Sequence, residues 1–174
     1  FIRHNEAITI INKVINGNVK TFEDYVSSLR PFGLRGYFVN DEKFRQNKKG
    51  LNKPVICYGK GKKVGYVELD EISSNKSYIN VFKVFTPRAN NIGTELPDDN
   101  FNTFIGKPNS ICTESYLVLG AELSLNNESA FNLRKYFSTR FSRFLHSVAK
   151  SSQDATSKTF RFVPLQDFTE NSDI

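Results

Sequence analysis

Methionine and tryptophan are absent from this 174-residue chain, and it holds only two cysteines and two histidines. Cys57 and Cys112 stand far apart, with no Cys-x-x-Cys pair and no paired histidines. That spacing argues against a zinc site or a disulfide framework and predicts reduced, half-buried thiols. Neither His4 nor His146 falls in a serine or cysteine elbow motif, so no nucleophile-histidine arrangement is visible. His146 reads as a boundary residue on a helix. The segment Gly59-Lys-Gly-Lys-Lys63 lacks both the spacing and the following helix of a phosphate loop. No apolar run approaches the roughly 18 residues of a membrane helix, and no charged-then-apolar leader is seen, so a cytoplasmic chain with no membrane partner is expected. The chain opens on Phe1, contains no Met and closes on the polar tail Thr169 to Ile174. These features predict a single domain over 1–174, excised from a larger protein.

The formal charge is +6 and the isoelectric point is near 9.3. A basic balance argues for a polyanionic partner only where the charge is localised, and here it is. Lys43, Arg45, Lys48, Lys49, Lys53, Lys60, Lys62 and Lys63 fall in one stretch that contains no acid. Between Asn90 and Glu128, by contrast, Glu95, Asp98, Asp99, Glu114, Glu122 and Glu128 face the single base Lys107.

Apolar spacing at Ile8, Ile10, Ile11 and Val14, closed by Asn16-Gly17-Asn18, predicts a short first helix. Thr21-Phe-Glu-Asp24 has the form of a capping box and predicts a second, to about Ser28, broken at Pro31-Phe-Gly33. Val55–Tyr58 and Val64–Val67 predict a hairpin whose tip is made of lysines. Further strands are expected over Tyr78–Phe85, over Ser110–Leu119 as one buried run, and over Thr159–Leu165 as a short edge strand. Residues 90–109 read as a long, partly mobile loop. Phe131–Lys150 reads as one long helix with Leu133, Phe137, Phe141, Phe144, Leu145 and Val148 on its apolar face. Tyr136, Arg140, Arg143, Ser147 and Lys150 form the adjacent stripe. The sum is an α+β chain, a mixed or antiparallel sheet packed against one long C-terminal helix, with short N-terminal helices.

Three segments in the last third stand out: Ser110-Ile-Cys-Thr-Glu-Ser-Tyr-Leu-Val-Leu-Gly120, Tyr136-Phe-Ser-Thr-Arg-Phe-Ser-Arg-Phe-Leu145 and Phe160-Arg-Phe-Val-Pro-Leu-Gln-Asp-Phe168. A fourth, Val26-Ser-Ser-Leu-Arg-Pro-Phe-Gly-Leu-Arg35, precedes them. Their content and order resemble the C-terminal, target-recognition region of adenine-specific DNA methyltransferases of restriction-modification systems, the Eco57I-like class, over about residues 22 to 168. The resemblance implies double-stranded DNA and the parent's catalytic methyltransferase domain as partners, with S-adenosylmethionine as cofactor of the parent. An aromatic-bearing Asn-Pro-Pro-Tyr motif and a glycine-bearing cofactor turn are both missing, so no catalytic residue and no cofactor site is expected within this chain.

Lysines and arginines neutralise phosphates and release counterions, so Lys48, Lys49, Lys53, Lys60, Lys62 and Lys63 are the expected backbone contacts. The guanidinium fork suits base edges better than an ammonium does, which makes Arg35, Arg45 and Arg88 candidates for base reading. Arg140 and Arg143 either meet phosphate or pair with the acids of the 95–99 loop. Glu114 needs a partner among its apolar neighbours, and the long helix offers an arginine. Two rivals remain: a structural or assembly module using the 131–150 helix as its interface, and a metal-dependent nuclease built on Glu68-Leu-Asp70, which lacks the lysine such sites carry.

Overall fold

The run Tyr116–Leu119 (β6) is buried at every position. Successive side chains of a strand point to opposite faces; Leu117 and Leu119 enter one apolar cluster, Tyr116 and Val118 another. Its neighbour Lys83–Pro87 (β3) divides the same way, Val84 to the first cluster and Phe85 to the second. With Phe104–Gly106 (β4) these strands form an antiparallel sheet in the order β4-β3-β6. That sheet is a wall between two cores. The computed structural model describes residues 5–94 and 98–171; His4, Glu95 and the last three residues of the tail lie outside them.

On one side of the wall sit the helices: Ile8–Val14 (α1), Asn127–Ser138 (α2) and Arg140–Ala149 (α3). Their core is aromatic. Phe22, Phe101 and Phe160 surround Phe137 with ring centroids 5.0, 5.1 and 5.7 Å away, mostly edge to face. On the other side is a mixed sheet in the order β2-β1-β5, from Pro54–Gly59 (β1), Lys63–Glu68 (β2) and Ser110–Cys112 (β5). β1 runs antiparallel to β2 and parallel to β5. The α+β class and the presence of both a mixed and an antiparallel sheet agree with the sequence, as does the lysine-tipped hairpin.

Several elements depart from expectation, each for a local reason. The expected long helix is two helices, because Thr139 adopts an extended ψ of 150°. Its Oγ1 accepts from the Ser142 amide at 3.2 Å and donates to the Tyr136 carbonyl at 2.7 Å, so one side chain ends α2 and caps α3. The break resets the helical phase. Leu133, Phe137, Leu145 and Val148 are buried, while Phe141 and Phe144 of the expected apolar face are exposed. Tyr136 and Lys150, placed on the polar stripe, are buried. The Lys150 ammonium donates to the backbone carbonyl and side-chain oxygen of Asn90 at 2.5 and 2.6 Å.

The run 110–119 is two strands in two different sheets, because Thr113-Glu-Ser115 turns the chain and the Tyr116 amide closes on the Thr113 carbonyl at 3.1 Å. The expected strand from Tyr78 begins only at Lys83, since the buried Lys83 ammonium draws the carbonyls of Ile79 and Val81 to itself at 3.1 and 3.0 Å. Thr21 makes no side-chain cap, and Phe22–Tyr25 is a single 3-10 turn. The expected edge strand at 159–165 is a 3-10 turn, Ser157–Phe160, closed by Thr156 and Thr159, followed by one bridge from Pro164 to Thr21. The 90–109 loop is anchored by buried Ile92 and Phe101 and contains β4.

Candidate nucleic-acid interface

The basic hairpin is built on a regular antiparallel ladder, with Pro54 opposite Glu68 and Gly59 opposite Lys63. Its tip, Lys60–Lys62, turns through Gly61 at φ +72°, a left-handed conformation that glycine adopts without a Cβ penalty. β2 is the edge strand, and an open edge invites pairing. Arg45 occupies it: its amide and carbonyl exchange hydrogen bonds with Tyr66 at 2.9 and 2.7 Å. The Lys48 ammonium then lies 5.4 Å from the Tyr66 ring centre. At the base, the Glu68 carboxylate accepts from the amides of Asn52 and Lys53 at 2.9 and 2.6 Å. The chain from 45 to 53 is thus laced along the outer edge of the hairpin. Five residue steps separate the tip from the base, roughly 17 Å at 3.4 Å each.

All eight basic residues of this segment are exposed. Lys43 pairs with Glu71 at 3.0 Å, and that hydrogen bond raises its pKa. Among the described residues, Arg45, Lys48, Lys49, Lys53, Lys60, Lys62 and Lys63 form no ion pair with a carboxylate. Lys63 donates instead to Asn40 Oδ1 at 3.2 Å.

The tip is held in place by residues from the two motif-bearing segments. Glu114 accepts from Arg30 Nε at 3.3 Å and from the Gly36 amide at 2.9 Å, and Arg35 stands 3.9 Å away. The Gly36 amide foremost, then the guanidiniums of Arg30 and Arg35, hold its carboxyl below the usual carboxylate range. The partners of Glu114 therefore come from the 26–35 segment, not from the C-terminal helices as expected. The Glu114 amide also donates to the Leu34 carbonyl at 2.9 Å, and Ser27 bonds Val118 through both its amide and its hydroxyl. From this clamp the turn Gly36–Asn40 reaches the tip, where Val39 packs in the space that a Cβ on Gly59 would fill. Tyr37, on the same turn, is 71% exposed.

The candidate arginines divide. Arg35 and Arg88 line one cavity of about 550 Å3 together with Arg30, a residue that sequence reasoning missed although it stands in the motif-like segment. Arg88 is paired with Asp154 at 3.1 Å. Arg143 is paired with Asp99 at 3.1 Å, one of the two alternatives the sequence left open. Arg140 is exposed beside it, in a cavity shared with Asp99 and Phe144 and not lined by any hairpin residue. Only Arg45 shares the hairpin edge with the lysines.

Other candidates resolve as framework. Glu68 is engaged by backbone amides, and among the described residues no group of three His, Cys, Asp or Glu side chains could hold a metal ion. Cys57 and Cys112 are free thiols on adjacent strands, fully rather than half buried, and burial pushes Cys57 up to about 12. His146 is not a boundary residue: it is wholly buried, its ring 4.7 Å from Phe101 and 4.6 Å from Phe160. Burial lowers its pKa to about 3. Among the described residues no helix is long and apolar enough to cross a membrane. No family model matches this chain, and no curated protein or solved structure shows significant similarity to it.

Proposed function

We propose that this chain is the DNA-binding, target-recognition part of an N6-adenine DNA methyltransferase of a restriction-modification system. Its task is to position duplex DNA; S-adenosylmethionine and methyl transfer belong to a catalytic domain of the parent protein. The observation that carries the DNA-binding part is the edge of the β1–β2 hairpin, where seven exposed cations without carboxylate partners line roughly 17 Å of one surface. The rims of a DNA groove present phosphates to lysines displayed along such an edge. Lys48, Lys49, Lys53, Lys60, Lys62 and Lys63 supply position. Arg45, the candidate arginine without an acid partner at this edge, is the best placed to read a base. The methyltransferase part of the proposal rests on the four motif-like segments.

A second role for the same chain is favoured by Phe131, Phe141 and Phe144, large apolar side chains exposed on α2 and α3. Phe141 and Phe144 lie one turn apart on α3; neighbouring exposed aromatics can mark a contact surface, and the parent's catalytic domain is the proposed partner there. The test of the primary reading is fluorescence anisotropy of the 174-residue chain with a labelled duplex across a salt series. Binding whose log–log salt slope is about 0.9 per neutralised phosphate, hence roughly 3 to 6 in total, is expected. No binding at about 50 mM salt, where such an electrostatic interface is strong, would overturn the reading.

A further inference from the structure

A cavity of about 590 Å3 opens where the two sheets meet. The hairpin contributes Tyr58, Lys62 and Val64; the antiparallel sheet contributes Pro87, Phe104 and Tyr116; Asp98, Asn102, Thr103 and Arg134 of α2 close the rim. The volume lies in the range of roughly 300–1,000 Å3 typical of small-ligand pockets. Its floor is aromatic: the Tyr58 and Phe104 rings are 4.9 Å apart, and Tyr116 stands edge-on to Phe104 at 5.3 Å. Its rim is polar and fixed. Asn102 donates to Asp98 Oδ2 at 2.7 Å, leaving the Asn102 side-chain carbonyl and the second Asp98 oxygen as acceptors. The Arg134 Nε donates to the Thr103 carbonyl at 3.1 Å, which sets the direction of the guanidinium. Lys62, from the hairpin tip, supplies a second cation.

An aromatic floor of rings tilted 60° and 88° to one another, acceptors and the Arg134 guanidinium on one rim and Lys62 on the other match one kind of ligand. We propose that this cleft takes a single unpaired nucleobase bearing an exocyclic amine, adenine, cytosine or guanine, from the DNA held by the hairpin. The base stacks on the Tyr58 ring with Phe104, inclined 60° to that ring, against its edge; its amine donates to Asp98 and Asn102, and the adjoining phosphate meets Lys62 and Arg134. Base–aromatic stacking is indifferent to base identity, so the acceptors confer the preference for an amine over thymine. The site rests on the DNA-binding reading above, and it places a base-sized pocket next to the tip whose lysines hold the backbone.

The experiment compares three labelled duplexes of equal length: fully paired, with one bulged adenine, and with one bulged thymine. The bulged adenine is expected to bind at least tenfold tighter than the paired duplex and several-fold tighter than the bulged thymine. A bulged 2-aminopurine in the same position is expected to lose fluorescence on binding, by stacking. Asn102→Gly, which tolerates the positive φ of Asn102, is expected to shrink the preference for adenine over thymine while leaving paired-duplex affinity unchanged, and Arg134→Gln is expected to weaken both bulged duplexes alike. Equal affinity for bulged and paired duplexes overturns the base cleft and leaves the hairpin reading intact. Equal preference for adenine and thymine overturns the amine contact, as does an adenine preference that survives Asn102→Gly. Failure to bind any of the three duplexes overturns the cleft together with the reading it rests on.

Discussion

The four motif-like segments and the basic segment are built in different ways. Residues 110–120 are mostly buried, and the motif-like segments are bonded to one another: Glu114 to Arg30, Ser27 to Val118, the Tyr136 hydroxyl to the Pro164 carbonyl. Residues 43–63 expose every cation they have. Glu114, Ser27 and Tyr136 of the motif-like segments serve as framework, while Arg35, Arg140, Phe141 and Phe144 of the same segments are exposed. The two regions meet along the β1–β5 pairing, from Ile56 opposite Ser110 to Tyr58 opposite Cys112, and again through the Gly36–Asn40 turn that links Glu114 to the hairpin tip.

The sharpest way to break that division is at the aromatic core. Phe137→Ala removes a ring packed against Phe22, Phe101, Tyr136 and Phe160 and is expected to cost about 3–5 kcal/mol in urea unfolding. Duplex affinity measured at a denaturant-free temperature where the variant is still folded should be unchanged. His146 gives the same region an acid limit. Its folded pKa of about 3 lies below the ordinary 6.5, so between those values the unfolded chain binds the extra proton. The stability it contributes is complete above pH 6.5 and is lost as pH falls toward 3. His146→Leu should flatten the stability profile between pH 6.5 and 4.5, the part of the window above the carboxylate range. Glu114→Gln probes the junction. Loss of its charge-assisted hydrogen bonds is expected to cost about 2 kcal/mol and, unlike Phe137→Ala, also to weaken duplex binding several-fold, because the seat of the tip loosens.

Legibility followed the range of the interactions. The hairpin was visible because β-branched runs, Gly61 and the lysines are local signals, and its register is set by the turn. The single break at Thr139 was hidden, since a Thr-Arg-Phe-Ser cap sits inside an unbroken apolar period and only side-chain hydrogen bonds reveal it. The split of 110–119 was hidden for a different reason: Glu114 is drawn to partners some 80 positions away. Of the interface, charge located the lysines, while Arg88 could not be separated from Arg45, because its partner Asp154 is a neighbour only in space; for Arg143 the sequence offered two alternatives, and pairing with Asp99 is one of them. Tyr37 and the cleft beside Tyr58 carry no sequence signal at all, being products of how the two sheets meet.

The central claim is that location, not net charge, makes the hairpin the DNA-contacting surface. Two variants of equal charge test it directly: Lys60, Lys62 and Lys63 changed together to Gln, and the exposed framework lysines Lys13, Lys20 and Lys158 changed likewise. Salt-series anisotropy with one labelled duplex should show the hairpin variant losing about 0.9 of slope for each lysine that meets a phosphate, with the framework variant close to the unaltered chain. Equal loss in both variants would contradict the account, for it would mean that the duplex senses only the overall charge.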